Sequence, residues 1–344
     1  MKIGVVGCGA LGSFYGAKLW QAGQEVHFLL RSDYDVVRER GVQIESPLGN
    51  FTARPHTAKS PETIGRCDVV VIGLKTTAND SFPQLLTPLV GPGTLVLTLQ
   101  NGLGNEAALA KLFPQNQIFG GLCFVCLNRL RPGHVLHTGE GYVVLGEFAR
   151  SSGGAAQQLA KLFSGAGIKC SVCDNLEKAR WEKLIWNVPF NGLGVASVAG
   201  LEAWGGHHRE EAQGARSIAS QAGPTGAAML RAPGGVSRRD CLATDELLGD
   251  ARWESLVRGL MLEIIHTAAL LGHAIPEATA DKMIERTRKL GAYRASTLVD
   301  YERGQPLELD SLFLAPLRQA RALGAKTPLL ENLCAVLTRL DGCR

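Results

Sequence analysis

The chain has 344 residues, 45% of them hydrophobic and 20% charged, which is room for two domains with proper cores and an ordinary globular composition. A formal charge of +4, from 36 basic against 32 acidic residues, is too slight to imply a nucleic-acid partner, and no dense Lys/Arg run occurs. Apolar runs break well before the ~20 residues needed to span a bilayer, and the chain opens directly on a strand, so neither membrane nor signal peptide is expected and the location is read as cytoplasmic.

Lys2 to Gly7 is a short β-branched run, followed by Gly7-Cys8-Gly9-Ala10-Leu11-Gly12 and a helical stretch through Trp20. That is G-x-G-x-x-G in the context it needs, strand before and helix after. Gly7 permits the tight turn, Gly9 lets a pyrophosphate approach the backbone, and Gly12 lets helix pack on strand, while the helix N-terminus offers unpaired N–H groups to phosphates. A second strand, Glu25 to Leu30, ends at Arg31, nineteen residues beyond Gly12. An NAD site places an acid near that point; a guanidinium suits the 2′-phosphate of NADP instead, although Asp33 lies close by.

Two further buried-type strands deliver polar residues. Cys67–Leu74 leads to Lys75, and Thr94–Leu99 leads to Gln100-Asn101-Gly102. In an open parallel sheet, ligands bind beyond the carboxyl ends of the strands, so Lys75 and Asn101 are expected in the crevice of the glycine loop. Ile118–Val125, Gly133–Thr138 and Tyr142–Phe148 read as strands, with His137 structural, then a helix to Ser164 and a last strand, Ile168–Cys173. Nine cysteines include two CxxC spacings, Cys123/Cys126 and Cys170/Cys173. Neither has further His or Cys at zinc spacing, so reduced thiols and no metal are expected.

From residue 175 onward the pattern is helical. Helices are predicted at Leu176–Ala196, Ala251–Leu271, Pro276–Leu290, Asp310–Leu323 and Leu329–Leu340. In the first, Lys183, Asn187 and Asn191 recur every four residues, which puts an ammonium and two carboxamides in one stripe. Such a stripe is commonly a solvated face; it also suits a polar substrate that must receive a proton. Pro189 is expected to kink the helix there.

Taken together, the glycine loop, Lys75, Gln100-Asn101-Gly102 and the Lys183/Asn187/Asn191 helix resemble the ketopantoate reductases (2-dehydropantoate 2-reductases). Ser296 and Glu308, twelve apart in RASTLVDYERGQPLELDSL, are similar to that family's S-S-M-x-x-D…G-R-x-T-E-I-D segment. The resemblance covers about residues 1–200 and 243–340. It implies an α/β Rossmann-type dinucleotide-binding domain, 1–174, followed by an all-α domain, 175–344, for substrate and dimerisation, with a homodimer as an expected assembly. It further implies NADPH-dependent reduction of a 2-oxo acid to a 2-hydroxy acid, 2-dehydropantoate to pantoate in pantothenate biosynthesis. By that match Lys183 is the proton donor, and Asn101, Asn187, Asn191 and Ser296 hold the substrate. Gly7, Cys8, Gly9, Ala10, Leu11, Gly12, Arg31, Lys75, Asn101, Cys126 and Glu308 contact the cofactor or its edge.

The chemistry fits those residue types. Hydride arriving at a carbonyl carbon builds negative charge on its oxygen, which a nearby ammonium stabilises and then protonates. Glu308 is expected to balance that lysine. Three departures from the family stand out: Pro189 inside the helix, Gly192 where a proline is usual, and Thr244 where a substrate-side Asn is usual. Residues 202–242, rich in Gly, Ala, Arg and Ser, read as an inserted loop, in which His207-His208 lacks the company of a metal site. The alternatives are a relative acting on another 2-oxo acid and a non-catalytic NADP-binding protein.

Overall fold

A computed structural model describes residues 1–149, 153–204 and 240–343. Strand β1 (Lys2–Val6) forms where the β-branched run predicts it, with Ile3 and Val5 packed on one face of the sheet and Val6 on the other. It leads into α1 (Ala10–Gln21) and β2 (Glu25–Leu29). Next come α2 (Tyr34–Arg40), three short strands, β3 (Val42–Glu45), β4 (Phe51–Ala53) and β5 (His56–Ala58), and the single turn α3 (Pro61–Ile64). These had no counterpart in the predicted elements, because strands of three or four residues are too short for alternation to register. β6 (Val69–Ile72), α4 (Phe82–Leu86), β7 (Leu95–Thr98) and α5 (Asn105–Leu112) follow. A long hairpin, β8 (Gln117–Arg131) and β9 (His134–Phe148), then α6 (Ala155–Gly165) and β10 (Lys169–Val172), complete the sheet.

The strands lie in the order β4-β3-β9-β8-β7-β6-β1-β2-β5, with β10 also on β9. The core pairs β5–β2–β1–β6–β7–β8 are all parallel. Because β2 lies on one side of β1 and β6 on the other, the order reverses at β1. The glycine loop therefore opens at a topological switch point, where open α/β sheets bind ligands. The hairpin joins Gly133–Thr138 and Tyr142–Phe148, predicted as separate strands, into one. Register shifts at Phe124/Val125, Cys126/Leu127 and Arg129/Arg131 break the alternation while the backbone pairing continues. His137 is buried between Ser46 Oγ, 2.9 Å from its Nδ1, and the Phe14 ring, a structural position.

The second half is helical, as expected: α7 (Leu176–Ala196), α8 (Thr244–Gly249), α9 (Ala251–Leu270), α10 (Ala278–Arg288), α11 (Ser296–Glu302), α12 (Ala315–Ala322) and α13 (Pro328–Gly342). Short α8 and α11 escaped the periodicity reading. The helix predicted from Asp310 begins instead as a π-helical turn, Asp310–Leu314. Helix α7 starts where Asn175 Oδ1 accepts the Lys178 N–H at 2.9 Å, and it stays helical through Pro189. Trp181, Leu184, Ile185 and Val188 bury its apolar faces in the helical core. At Gly192 an added Cβ would stand 2.6 Å from the Leu333 side chain, so this slot is filled by α13 and has no room for a proline ring.

Both described edges of the expected loop 202–242 are packed into the helical core. Trp204 is fully buried against Trp253, and the Leu242 N–H donates to Gly194 O at 3.2 Å, so both ends belong to the helical core. Residues 205–239, with His207 and His208, lie outside the described residues.

One buried ion pair joins the two halves. Arg180 on α7 donates to Glu106 Oε1 on α5 from both Nε and Nη2, and from Nη1 to the Gln100 carbonyl at 2.7 Å. Both side chains are about 95% shielded, at 4% and 6% exposure. Removing one partner leaves an uncompensated buried charge. Glu106→Ala is therefore expected to lower unfolding free energy by about 3 kcal/mol, read from the urea midpoint at unchanged slope, whereas Arg180→Met with Glu106→Leu loses much less.

Candidate active site

The carboxyl ends of β1, β2, β6 and β7 and the polar stripe of α7 face one another across a single cleft of about 1150 Å³. Gly7, Cys8, Gly9, Ala10 and Leu11 line one wall, and Lys183, Asn187, Asn191 and Ser296 line another. Arg31, Lys75, Asn101, Cys126 and Glu308 lie on the same surface. Gly12 sits behind it: an added Cβ would stand 2.3 Å from Gly7 O, so a side chain there would push α1 off the loop. At Gly9 a Cβ would meet nothing within 4 Å, and no side chain caps the N-terminus of α1. A bare backbone, an uncapped helix end and open space in front make a cradle for a phosphate, so the residues fit a dinucleotide.

Beyond β2 the cleft wall carries Arg31, Ser32, Asp33 and Arg129. The Asp33 carboxylate is turned to Arg129, whose Nε and Nη2 donate to it at 3.0 and 2.5 Å. Arg31 is exposed toward the cleft.

At the end of β6, Lys75 Nζ lies 2.7 Å from Asp300 Oδ2 and 3.3 Å from Glu308 Oε2, and Glu308 Oε1 accepts the Thr76 N–H at 2.7 Å. Burial pulls the Lys75 ammonium down, but the two carboxylates outweigh it and its pKa lies above the usual lysine value. Glu308, expected to balance Lys183, pairs with Lys75 instead. Glu308 is buried at 5% exposure and its carboxylate bonds Lys75 and the Thr76 N–H, because it enters from the loop before the π-helical turn, on the β6 side.

Gln100, Asn101 and Gly102 divide three tasks. Gln100 is buried, bonding Thr98 Oγ1 and Asn79 Oδ1. Asn101 turns its side chain to the cleft, and its carbonyl is held by Asn105 Nδ2 at 2.9 Å. Gly102, at φ +81°, packs so closely on Ser311 that a Cβ would lie 2.4 Å from that carbonyl. The Leu103 N–H donates to the same Ser311 oxygen at 2.9 Å. Five residues after Ser311 stands Pro316, which has no N–H to close a π-turn, so that carbonyl is open to the loop.

Lys183 Nζ donates to Asn101 Oδ1 and to Cys123 O, both at 2.8 Å, and lies 5.2 Å from the Phe124 ring centroid. An ammonium has three donors, so one remains for a ligand in the cleft. Burial draws its pKa down to about 8, with the positive Arg180 one turn away adding to the effect. One further turn along α7 from Asn187, Asn191 Oδ1 accepts the Thr297 N–H at 3.1 Å and the Ser296 hydroxyl at 3.3 Å, so it caps α11 and aims Ser296 at the cleft. Lys183, Asn187 and Asn191 thus share one face despite Pro189.

Several residues at the site were not singled out from the sequence. Trp186 donates its Nε1–H to Thr287 Oγ1 at 2.9 Å and lies 6.0 Å from the Tyr293 ring; both aromatics wall the cleft beside Asn187. Thr244 is absent from that wall. It is buried at 2% exposure and bonds Gly291 O and the Tyr293 backbone, fixing the loop that presents Tyr293. Among the described residues, no cluster of His, Cys, Asp and Glu could hold a metal, and none of the nine cysteines forms a disulfide.

Comparison with known proteins agrees along nearly the whole chain. Residues 3–150 match the family model described as ketopantoate reductase PanE/ApbA, and 240–341 match its C-terminal counterpart. A 2-dehydropantoate 2-reductase of Nostoc sp. is 36% identical over 99% of this chain and 95% of its own length. Among solved structures, 2-dehydropantoate 2-reductase from Geobacter metallireducens GS-15 superposes with TM-score 0.82 at 38% identity, covering 98% of this chain and 99% of that one. The corresponding enzyme from Methylococcus capsulatus gives 0.81 at 30% identity, covering 100% and 97%.

Proposed function

The chain belongs to the ketopantoate reductase family, oxidoreductases acting on CH–OH groups, and on that premise we propose that it reduces 2-dehydropantoate to pantoate with NADPH, a step of pantothenate biosynthesis. The observation that carries this reading is the Lys183 amine, which stands in the same cleft as the glycine loop and keeps one donor free.

With its phosphates held in the cradle of Gly7 to Gly12, a bound dinucleotide would supply the hydride from its reduced nicotinamide. The residues of the chain do the rest. Lys183 holds a proton at the substrate carbonyl oxygen, stabilises the negative charge that grows there, and transfers the proton as the alcohol forms. Asn101 and the Cys123 carbonyl fix the amine's direction, so little reorganisation is needed at the moment of reaction. Asn187 and Ser296 bind the oxo acid without adding a charge that competes with the ammonium, and Asn191 acts by orienting Ser296. Lys75, clamped by Asp300 and Glu308, lines the cofactor side. Arg31 takes the 2′-phosphate.

A second reading, reduction of a 2-oxo acid with a larger side chain, draws on the aromatic wall of Trp186 and Tyr293. Following NADPH absorbance with a panel of 2-oxo acids separates the two: 2-dehydropantoate is expected to have the highest kcat/KM, and a bulkier oxo acid ahead of it would favour the second. Silence on every oxo acid, with NADPH bound, would leave a non-catalytic cofactor-binding protein.

Lys183→Ala is expected to lower kcat by at least ~100-fold, the usual scale for loss of a general acid, with NADPH affinity retained by calorimetry. Near-normal kcat would remove Lys183 from the mechanism. The lowered pKa also sets a pH dependence. Reduction needs the ammonium, which is present below about pH 8 and lost above it. The kcat/KM for reduction should therefore fall on the alkaline side with an apparent pKa near 8, and oxidation of pantoate should rise over the same range. A flat profile from pH 7 to about 9.5 at constant cofactor saturation would contradict this assignment.

A further inference from the structure

The end of the cleft beyond β2 holds a carboxylate where a dinucleotide site that prefers NAD would want one. An acid at the end of the second strand accepts the ribose 2′-hydroxyl and repels a 2′-phosphate. Asp33 stands two residues past Arg31 and lines the cleft, yet its oxygens are already engaged. Oδ1 accepts from Arg129 Nη2 at 2.5 Å and Ser32 Oγ at 2.9 Å. Oδ2 accepts from Arg129 Nε at 3.0 Å and the Gly133 N–H at 3.2 Å. Four donors fill the roughly four lone-pair sites of a carboxylate, so Asp33 has no acceptor capacity left for a ribose.

We propose that Arg129 determines the coenzyme preference of this site by withholding Asp33 from the ribose. Arg129 comes from the far end of β8, 96 residues along the chain from Asp33, and it meets the carboxylate through the parallel donors of a guanidinium fork. The hairpin turn after it supplies the Gly133 N–H from the same side. From the helical half, Arg303 Nη1 reaches the Arg129 carbonyl at 3.4 Å, so both halves of the chain hold this strand end in place. With Asp33 neutralised by Arg129, the charge that remains facing the cleft is that of Arg31, which is exposed there. The surface favours a phosphate over a bare hydroxyl. Arg129 acts through Asp33 and is a positioning residue.

The inference rests on the NADPH reading above, and one measurement separates the two. NADPH and NADH differ only in the 2′-phosphate, so the ratio of their dissociation constants, by titration calorimetry on the full chain, isolates that group. The unaltered protein should bind NADPH more tightly; tighter NADH would overturn the coenzyme reading itself. Given NADPH preference, Arg129→Ala frees a carboxylate beside the phosphate, and the ratio should fall by about tenfold or more, since like charges brought together are strongly disfavoured. Adding Asp33→Asn to that variant removes the freed charge and should restore most of the ratio. A ratio within about twofold of the parent in Arg129→Ala, or a loss that persists in the double variant, would overturn the role of Arg129; the second result would place its guanidinium on the phosphate directly. A merely structural role moves both affinities together and leaves the ratio unchanged. Should Arg129→Ala not fold, Arg129→Gln, uncharged but still a donor, reads the same ratio.

Discussion

The whole arrangement depends on one contact across the seam between sheet and helices: the Lys183 amine held by Asn101 Oδ1 and the Cys123 carbonyl. A lysine on a helix face is normally a solvated, flexible charge. Here two acceptors, one at the end of β7 and one on β8, aim it back at the sheet. Partial burial weakens its hold on the proton, which draws the pKa to about 8. An amine in that state stabilises charge and still releases a proton near neutral pH.

Around that contact the seam is built from paired polar and charged groups. Arg180, one turn before Lys183, is locked to Glu106 and the Gln100 carbonyl. Ser311 offers its carbonyl to Leu103 and its hydroxyl to Thr76 at 2.9 Å. Glu308 joins Lys75 and the Thr76 N–H. Each of these ties a residue of the helical half to the carboxyl end of a sheet strand, the edge where the switch point opens. The cleft therefore has its shape because the strand ends and α7 are fastened together, and not through loop packing alone.

A pattern recurs in how acids are handled. Glu106, Glu308 and Asp33 all stand near the cleft, and each is occupied by a cation or by backbone N–H groups. An oxo-acid substrate and a phosphorylated cofactor are both anions, so a free carboxylate here would repel the ligands proposed for it. Pairing the acids keeps their structural hydrogen bonds and removes that repulsion. Lys183 and Arg31 remain turned to the cleft at its two ends.

Much of this was legible from the residues alone. A G-x-G-x-x-G between strand and helix, and a Lys/Asn/Asn spacing of four, translate directly into backbone turns and a helix face because local geometry alone sets them. The buried strand runs and the long amphipathic helices were readable for the same reason. What the sequence could not carry were features that join residues far apart in the chain: Asp33 to Arg129, Lys75 to Glu308 and Asp300, Arg180 to Glu106. Spacing along a chain says nothing of such pairs, and in the first case it even suggested a rival reading of Asp33. The short strands β3 to β5 and the placement of Trp204 likewise came from packing partners and not from local pattern. Residue types and periods thus determined which groups were available and which face they shared; tertiary structure decided which charges were cancelled and which were left to act, because that depends on distances through space.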